Sequence, residues 1–273
     1  MDPAQAVRQA QRAWAQAQGI SFNPAGYVHD LESNLRKPLS VHARNGFRAG
    51  SGSELASHMR ALHSSSALVA NFFDHWTERD KAPLLSALGI DGDDPAVQLD
   101  FEAKFPTGLA GTPPHLDLAI RLRSGAVVAV ESKFTEHLTR STRGKADLSS
   151  SYFPPSGDLW TDVGLSRCQG LAEILRDGSW RPQFLDPGQL LKHVLGLAKQ
   201  GNRFTLCYLY FDCAGERSDA HREEIRSFAA QVGDEIQLRA LTYQEVFSAL
   251  SAAAGAESED YLRYLGNRYF SGL

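Results

Sequence analysis

Val127-Val128-Ala129-Val130-Glu131-Ser132-Lys133-Phe134 is an unbroken apolar run that ends in two charges spaced i, i+2. The run is short and rich in β-branched residues, which predicts a strand covered on both faces. In a strand, that spacing places Glu131 and Lys133 on the same face. Charges at the end of a buried strand are costly to desolvate unless partners are supplied. Asp117, in His115-Leu116-Asp117-Leu118-Ala119-Ile120, is an acid on a neighbouring strand and can share a cation with Glu131. The arrangement points to metal-assisted chemistry on a phosphate.

Working outward, Val97, Leu99, Phe101, Ala103 and Phe105 alternate with Gln98, Asp100, Glu102 and Lys104 after the turn cluster Asp91-Gly92-Asp93-Asp94-Pro95. This is the period of a half-buried strand. A Gly- and Pro-rich loop, Pro106 to Pro114, leads to a second strand with an apolar face of Leu116, Leu118, Ile120 and Leu122 and with Asp117 on the other face. Ser124-Gly125 reads as a tight turn into the third strand, so the three form an antiparallel meander. Upstream, apolar spacing predicts a helix over 4–18, stopped by Gly19. Asn23-Pro24, Lys37-Pro38 and Asn45-Gly46 read as turns. Ser53 reads as the N-cap of a helix running through Glu54, Met59, Leu62 and Phe72, followed by a helix from Asp74 to Leu88. Downstream come a polar stretch (137–157), helices at 164–176 and 187–199, a strand at 204–211, a helix at 219–231, a strand at 235–241, and helices at 243–253 and 258–269. The whole reads as one α/β domain.

The chain has 273 residues, 42% of them hydrophobic and 22% charged, ordinary values for a globular protein with a sizeable core. No apolar run reaches membrane-span length, and Met1-Asp2-Pro3 does not open a secretory signal. Cys168, Cys207 and Cys213 form no CxxC; as reduced core thiols they fit a cytoplasmic protein. The formal charge of −4 argues mildly against tight, non-specific DNA binding. It leaves room for a local basic patch, since screening acts over about 8–10 Å. Gly-x-x-x-x-Gly-Lys, Gly-x-Ser-x-Gly and His-Glu-x-x-His motifs are absent from the sequence.

Asp117 on the second strand and Glu131-Ser132-Lys133 on the third resemble the PD-(D/E)XK nuclease superfamily, the restriction-endonuclease-like fold. The run from Phe101-Glu102 through Gly111-Thr112-Pro113-Pro114-His115-Leu116-Asp117 to Glu131-Ser132-Lys133-Phe134-Thr135-Glu136, with Gln189-Leu190-Leu191-Lys192-His193 later, is similar to a bacterial family of restriction endonucleases. The resemblance covers about residues 50 to 245. It implies an α/β core of helix, three-strand meander, helix and strand, with a mixed central sheet and added helices at both ends. The expected division is an N-terminal helical extension (1–52), a nuclease core (53–245) and C-terminal helices packed on the core (246–273).

The resemblance further implies a Mg²⁺ (or Mn²⁺) ion held by Asp117, Glu131 and the Ser132 carbonyl, with Lys133 assisting the attacking water. Glu54, where the superfamily often carries an active-site acid before the first strand, and Glu102, on the polar face of that strand, are further catalytic candidates, as is Gln189. His193, i+4 from Gln189, stands where some relatives carry another aromatic residue. Arg140, Arg143 and Lys145 follow the catalytic strand and are candidates for phosphate-backbone contact; Tyr152 and Phe153 are candidates for stacking on an unpaired base. Plainer readings stand beside these. Glu54 fits a helix-start acid, Glu102 an exposed strand residue, Gln189 a solvated first turn, His193 a packed histidine, and the basic segment a surface loop. The expected partner is DNA, with a homodimer as the assembly and restriction or defence as the setting. The rivals are a catalytically inactive nucleic-acid-binding or assembly module on the same fold and a nuclease acting on RNA.

Overall fold

The computed structural model describes residues 2–50, 53–90, 92–139 and 148–271. Five strands form one sheet in the order β1 (Ala96–Lys104), β2 (His115–Leu122), β3 (Val127–Lys133), β4 (Phe204–Tyr210), β5 (Gln237–Thr242). The first two pairings are antiparallel and the last two parallel. The parallel pairs need long crossovers. Helices α5 (Ser166–Asp177) and α6 (Pro187–Lys199) link β3 to β4, and α7 (Glu216–Val232) links β4 to β5. Four helices precede the sheet: α1 (Pro3–Ala17), α2 (Val41–Ala49), α3 (Ser65–Phe73) and α4 (Ala82–Ala87). Two follow it, α8 (Tyr243–Ala253) and α9 (Glu259–Leu265). The mixed sheet between helical layers is compatible with a restriction-endonuclease-like core.

The sheet separates two apolar cores. One face buries Leu99, Phe101, Leu118, Ile120, Val128, Val130, Cys207 and Leu209 among side chains of α2, α3, α4, α8 and α9. The other buries Ala103, Phe105, Leu116, Ala119, Val127, Ala129, Leu206 and Tyr208 among α5, α6 and α7. Strand β3 is therefore covered on both sides, as its unbroken apolar run requires. The expected single face of β2 does not hold throughout: Leu116 joins the second core, while Leu118 and Ile120 join the first. The same switch occurs in β1 between Phe101 and Ala103. Between those two, Glu102 takes a φ of 51°, so the simple alternation is broken there.

The helical segments ahead of β1 differ from the sequence expectation. Ser53 opens a turn, and α3 starts at Ser65, where the Ser64 hydroxyl accepts from Ala67 N–H at 3.2 Å. The expected 74–88 helix is a short 3₁₀ turn at Asp74–Trp76 followed by α4. Asn45-Gly46 lies inside α2. Gly46 serves close packing there: a Cβ would stand 2.7 Å from Phe101 O. Helix α2 covers the edge of β1, where His42 Nε2 donates to Leu99 O at 2.5 Å, which shields an otherwise open row of backbone acceptors.

Helix α6 is seated in the same way. Asp186 caps it, accepting from Gln189 N–H at 2.9 Å, and Pro187 starts it with a preset φ. At Gly196 a Cβ would lie 2.2 Å from Phe105 O and 3.0 Å from its carbonyl carbon. Gly196→Ala must move α6 away from the end of β1. A loss of about 1–3 kcal/mol in unfolding free energy by urea denaturation is expected, although alanine has the higher helix propensity. A stability equal to or above wild type would refute the close approach.

Candidate active site

The backbone ladder between β2 and β3 ends at Leu118↔Val130, while β3 and β4 stay paired through Lys133↔Tyr210. The row beyond Leu118 and Val130 carries Asp117 and Glu131. There the Ser132 N–H is taken by Asp117 Oδ2 at 2.7 Å instead of by a strand carbonyl. A carboxylate thus replaces the ladder at the point where the two strands part. The Ser132 hydroxyl lies on the other side, 2.7 Å from Tyr243 OH.

Glu131 and Lys133 share the face toward α6, as the i, i+2 spacing requires. Lys133 Nζ donates to Glu131 Oε1 at 2.6 Å and to Gln189 Oε1 at 2.9 Å. His193, one helical turn after Gln189 and buried, places Nε2 3.0 Å from Glu131 Oε2. Beyond this contact, neither buried atom has another hydrogen-bond partner. Burial alone would raise the Glu131 carboxyl; Lys133 and then His193 overcome it and hold the carboxyl down to about 2. Burial alone would lower Lys133; Glu131 and Asp117 overcome it and keep the ammonium charged far into the alkaline range. Asp117 is pushed well up, first by burial and then by Glu131, against the opposing pull of Lys133 and the Ser132 N–H.

These shifts describe a site with one cation too few for its two carboxylates. The donors suit a hard ion: Asp117 and Glu131 supply oxygens, buried Glu131 Oε2 has only the His193 imidazole beside it, and extra positive charge would let Asp117 ionise. Among the described residues no group of three His, Cys, Asp or Glu side chains is arranged to hold a metal. An ion such as Mg²⁺, which keeps several waters and takes one or two carboxylates, does not need a third.

Around this centre stand the remaining candidates. Glu102 is opposite Asp117 in the β1–β2 register and 3.4 Å from His115 Nδ1 through Oε2. Its carboxyl is raised to about 7 by burial, then by the charges of Glu54 and Glu131. Glu54 sits in the turn before α3, where its Oε2 accepts from Ser66 Oγ at 2.5 Å and its Oε1 is 3.0 Å from His58 Nδ1. The structure thus brings Asp117, Glu131, Lys133 and Gln189 together and sets Glu102 and Glu54 within electrostatic reach. Arg140, Arg143 and Lys145 lie outside the described residues. Tyr152 and Phe153 pack on Trp160, with ring centroids 5.8 and 6.4 Å away, an intramolecular seat rather than a free stacking platform.

Two histidines also face these acids. His193 carries a visible signal, its i+4 relation to Gln189. His115 stands i−2 from Asp117, the same arithmetic that joins Glu131 to Lys133. Its Nε2 is buried without a partner.

Glu102 makes stability depend on pH. An acid with a folded pKa of about 7, above its ordinary 4.5, binds its proton more tightly in the folded state. The folded state is then favoured below about pH 4.5, and that advantage is lost as pH rises through about 7. Glu102→Gln removes this contribution, so the wild-type stability should fall relative to the variant by on the order of 2 kcal/mol between pH 5 and 8. Parallel pH curves from denaturant titrations would contradict it.

Among the described residues no helix is long and apolar enough to cross a membrane. No curated protein and no solved structure matches the chain. One family model matches almost the whole of it, residues 8–270, spanning the strand fork, the carboxylate pair and α6. With Asp117, Glu131 and Lys133 gathered at that fork, the chain belongs to the family described as restriction endonuclease associating with ARP.

Proposed function

We propose that this protein is a Mg²⁺- or Mn²⁺-dependent nuclease that hydrolyses phosphodiester bonds of DNA. The observation that carries the reading is the convergence of Asp117, Glu131 and Lys133 where β2 and β3 part. Asp117 and Glu131, with the Ser132 carbonyl, would hold the ion, which when bound lowers the pKa of a water and neutralises charge on the phosphate. Lys133 is held at two points, by Glu131 and Gln189, and so presents a fixed positive charge to the attacking water and to the phosphate as its charge grows. Gln189 and His193 restrain Lys133 and Glu131 from the helix side. Glu102 and Glu54 complete the acidic surroundings. The family description supports restriction of foreign DNA as the setting; cutting both strands would call for two copies of the chain.

Calorimetric titration with Mn²⁺ tests the metal site, and cleavage assays on DNA and RNA test the substrate. Wild type should bind Mn²⁺ and cut DNA, and Asp117→Asn should lose both. Binding without cleavage of either polymer would favour a module that lacks activity, and cleavage of RNA alone would replace the substrate. An Asp117→Asn variant that binds Mn²⁺ like wild type would overturn the site itself.

A further inference from the structure

The sheet has a second polar concavity at its other end, where β3, β4 and β5 begin. A cavity of about 310 Å³ is lined there by Arg203, Thr205, Gln237, Arg239 and Asp94, above the apolar floor of Leu122 and Val127. Neither arginine enters an ion pair among the described residues. Arg239 Nε is buried and has no hydrogen-bond partner. A buried donor left unmade costs free energy, more so on a charged group. Among the described residues Asp94 is the one carboxylate of the lining, and its oxygens already accept from the Ser124 N–H at 2.9 Å and from the Ser124 hydroxyl.

The Arg239 guanidinium packs against backbone. It lies against Gly89, where a Cβ would stand 2.7 Å from Nη1, and Gly89 has a φ of 65° that itself favours glycine. The Thr205 hydroxyl donates to Gln237 Oε1 at 2.6 Å, which leaves the amide NH₂ of Gln237 as a donor. Among its described residues the concavity therefore combines a guanidinium with an unused buried donor, a second guanidinium and an amide, against one carboxylate. Guanidinium forks match the oxygens of a phosphate.

We infer that this cavity binds a terminal phosphate group, that of inorganic phosphate or of a nucleoside monophosphate, through Arg239 and Arg203. The site is separate from the carboxylate fork and stands whether or not the chain cuts DNA.

The test is thermal unfolding in a metal-free, phosphate-free buffer of constant ionic strength, titrated with orthophosphate or with adenosine 5′-monophosphate. Wild type, Arg239→Gln and Arg203→Gln are compared. At a concentration about tenfold above the dissociation constant, the wild-type midpoint should rise by about 3–5 °C, and the rise should vanish in both variants. Equal saturation by the two ligands assigns recognition to the phosphate alone, and tighter saturation by the nucleotide assigns it to a nucleotide. If Arg239→Gln does not fold, Arg203→Gln, which alters an exposed side chain, carries the test. With it, the broadening of the orthophosphate ³¹P line seen with wild type should be lost. The absence of a saturable phosphate effect in wild type, or its persistence in Arg203→Gln, overturns the proposal.

Discussion

Lys133→Ala is expected to lower metal-dependent DNA cleavage by about two to three decades, the cost of removing one preorganised charge from a developing anion. Its effect on metal binding should run the other way. Lys133 competes with any bound cation for Glu131, to which Nζ donates at 2.6 Å. Without the ammonium, the mutual repulsion of Asp117 and Glu131 loses its main counter-charge, and their need for a cation grows. The variant should therefore bind Mn²⁺ at least as tightly as wild type while cutting far more slowly. Asp117→Ala should lose both properties, because it removes a metal oxygen. It also leaves the Ser132 N–H without its acceptor, for a stability cost of about 1–3 kcal/mol. Single-turnover cleavage beside calorimetric Mn²⁺ titration separates the two roles. A Lys133→Ala variant that cuts at the wild-type rate would remove Lys133 from the chemistry.

The parts of this site that were legible in the sequence are those set by local periodicity. Glu131 and Lys133 share a face because any strand gives that result, and the apolar run behind them could only be buried. The bounds of α6 agree with the expected 187–199 because Asp186, Pro187 and the apolar spacing all point to one start. The features that escaped depend on contacts between distant segments. Nothing local indicates that Glu102 turns to a φ of 51° and that β1 and β2 change faces around it. Asn45-Gly46 has turn chemistry, but Gly46 is needed because Phe101 O approaches α2 from a strand distant in the sequence. Spacing sets His193 on the face of Gln189 and His115 on the face of Asp117, but it does not show what they meet across the fold. The packing of α6 on β3, and of β1 beside β2, brings Glu131 to His193 and Glu102 to His115.

Arg268→Met is expected to destabilise the protein by about 3–5 kcal/mol, and to lower the melting midpoint by about 10 °C. Arg268 is 2% exposed, yet no carboxylate faces it in an ion pair among the described residues. Neutral oxygens take its donors instead. Nη1 donates to Asn34 O and to Tyr264 OH, each at 2.7 Å; Nη2 donates to Asn34 Oδ1 at 2.5 Å, and Nε to Gln11 Oε1 at 3.2 Å. The Trp14 and Tyr269 rings stand 4.4 and 4.8 Å from its Cζ and add cation–π attraction. One guanidinium thus ties α1, the Asn34 turn and the π-turn Gly266–Phe270 after α9. Methionine fills similar volume but leaves those buried acceptors unpaired, at about 1–3 kcal/mol for each that finds no substitute. Arg268→Lys should recover little, because an ammonium cannot span Asn34 and Gln11 as the planar fork does. Arg263→Ala, five residues earlier on the exposed face of α9, breaks only surface pairs with Glu259 and Asp260 and should change stability by less than about 1 kcal/mol. A shift for Arg268→Met no larger than for Arg263→Ala would mean that the buried guanidinium does not hold these segments together.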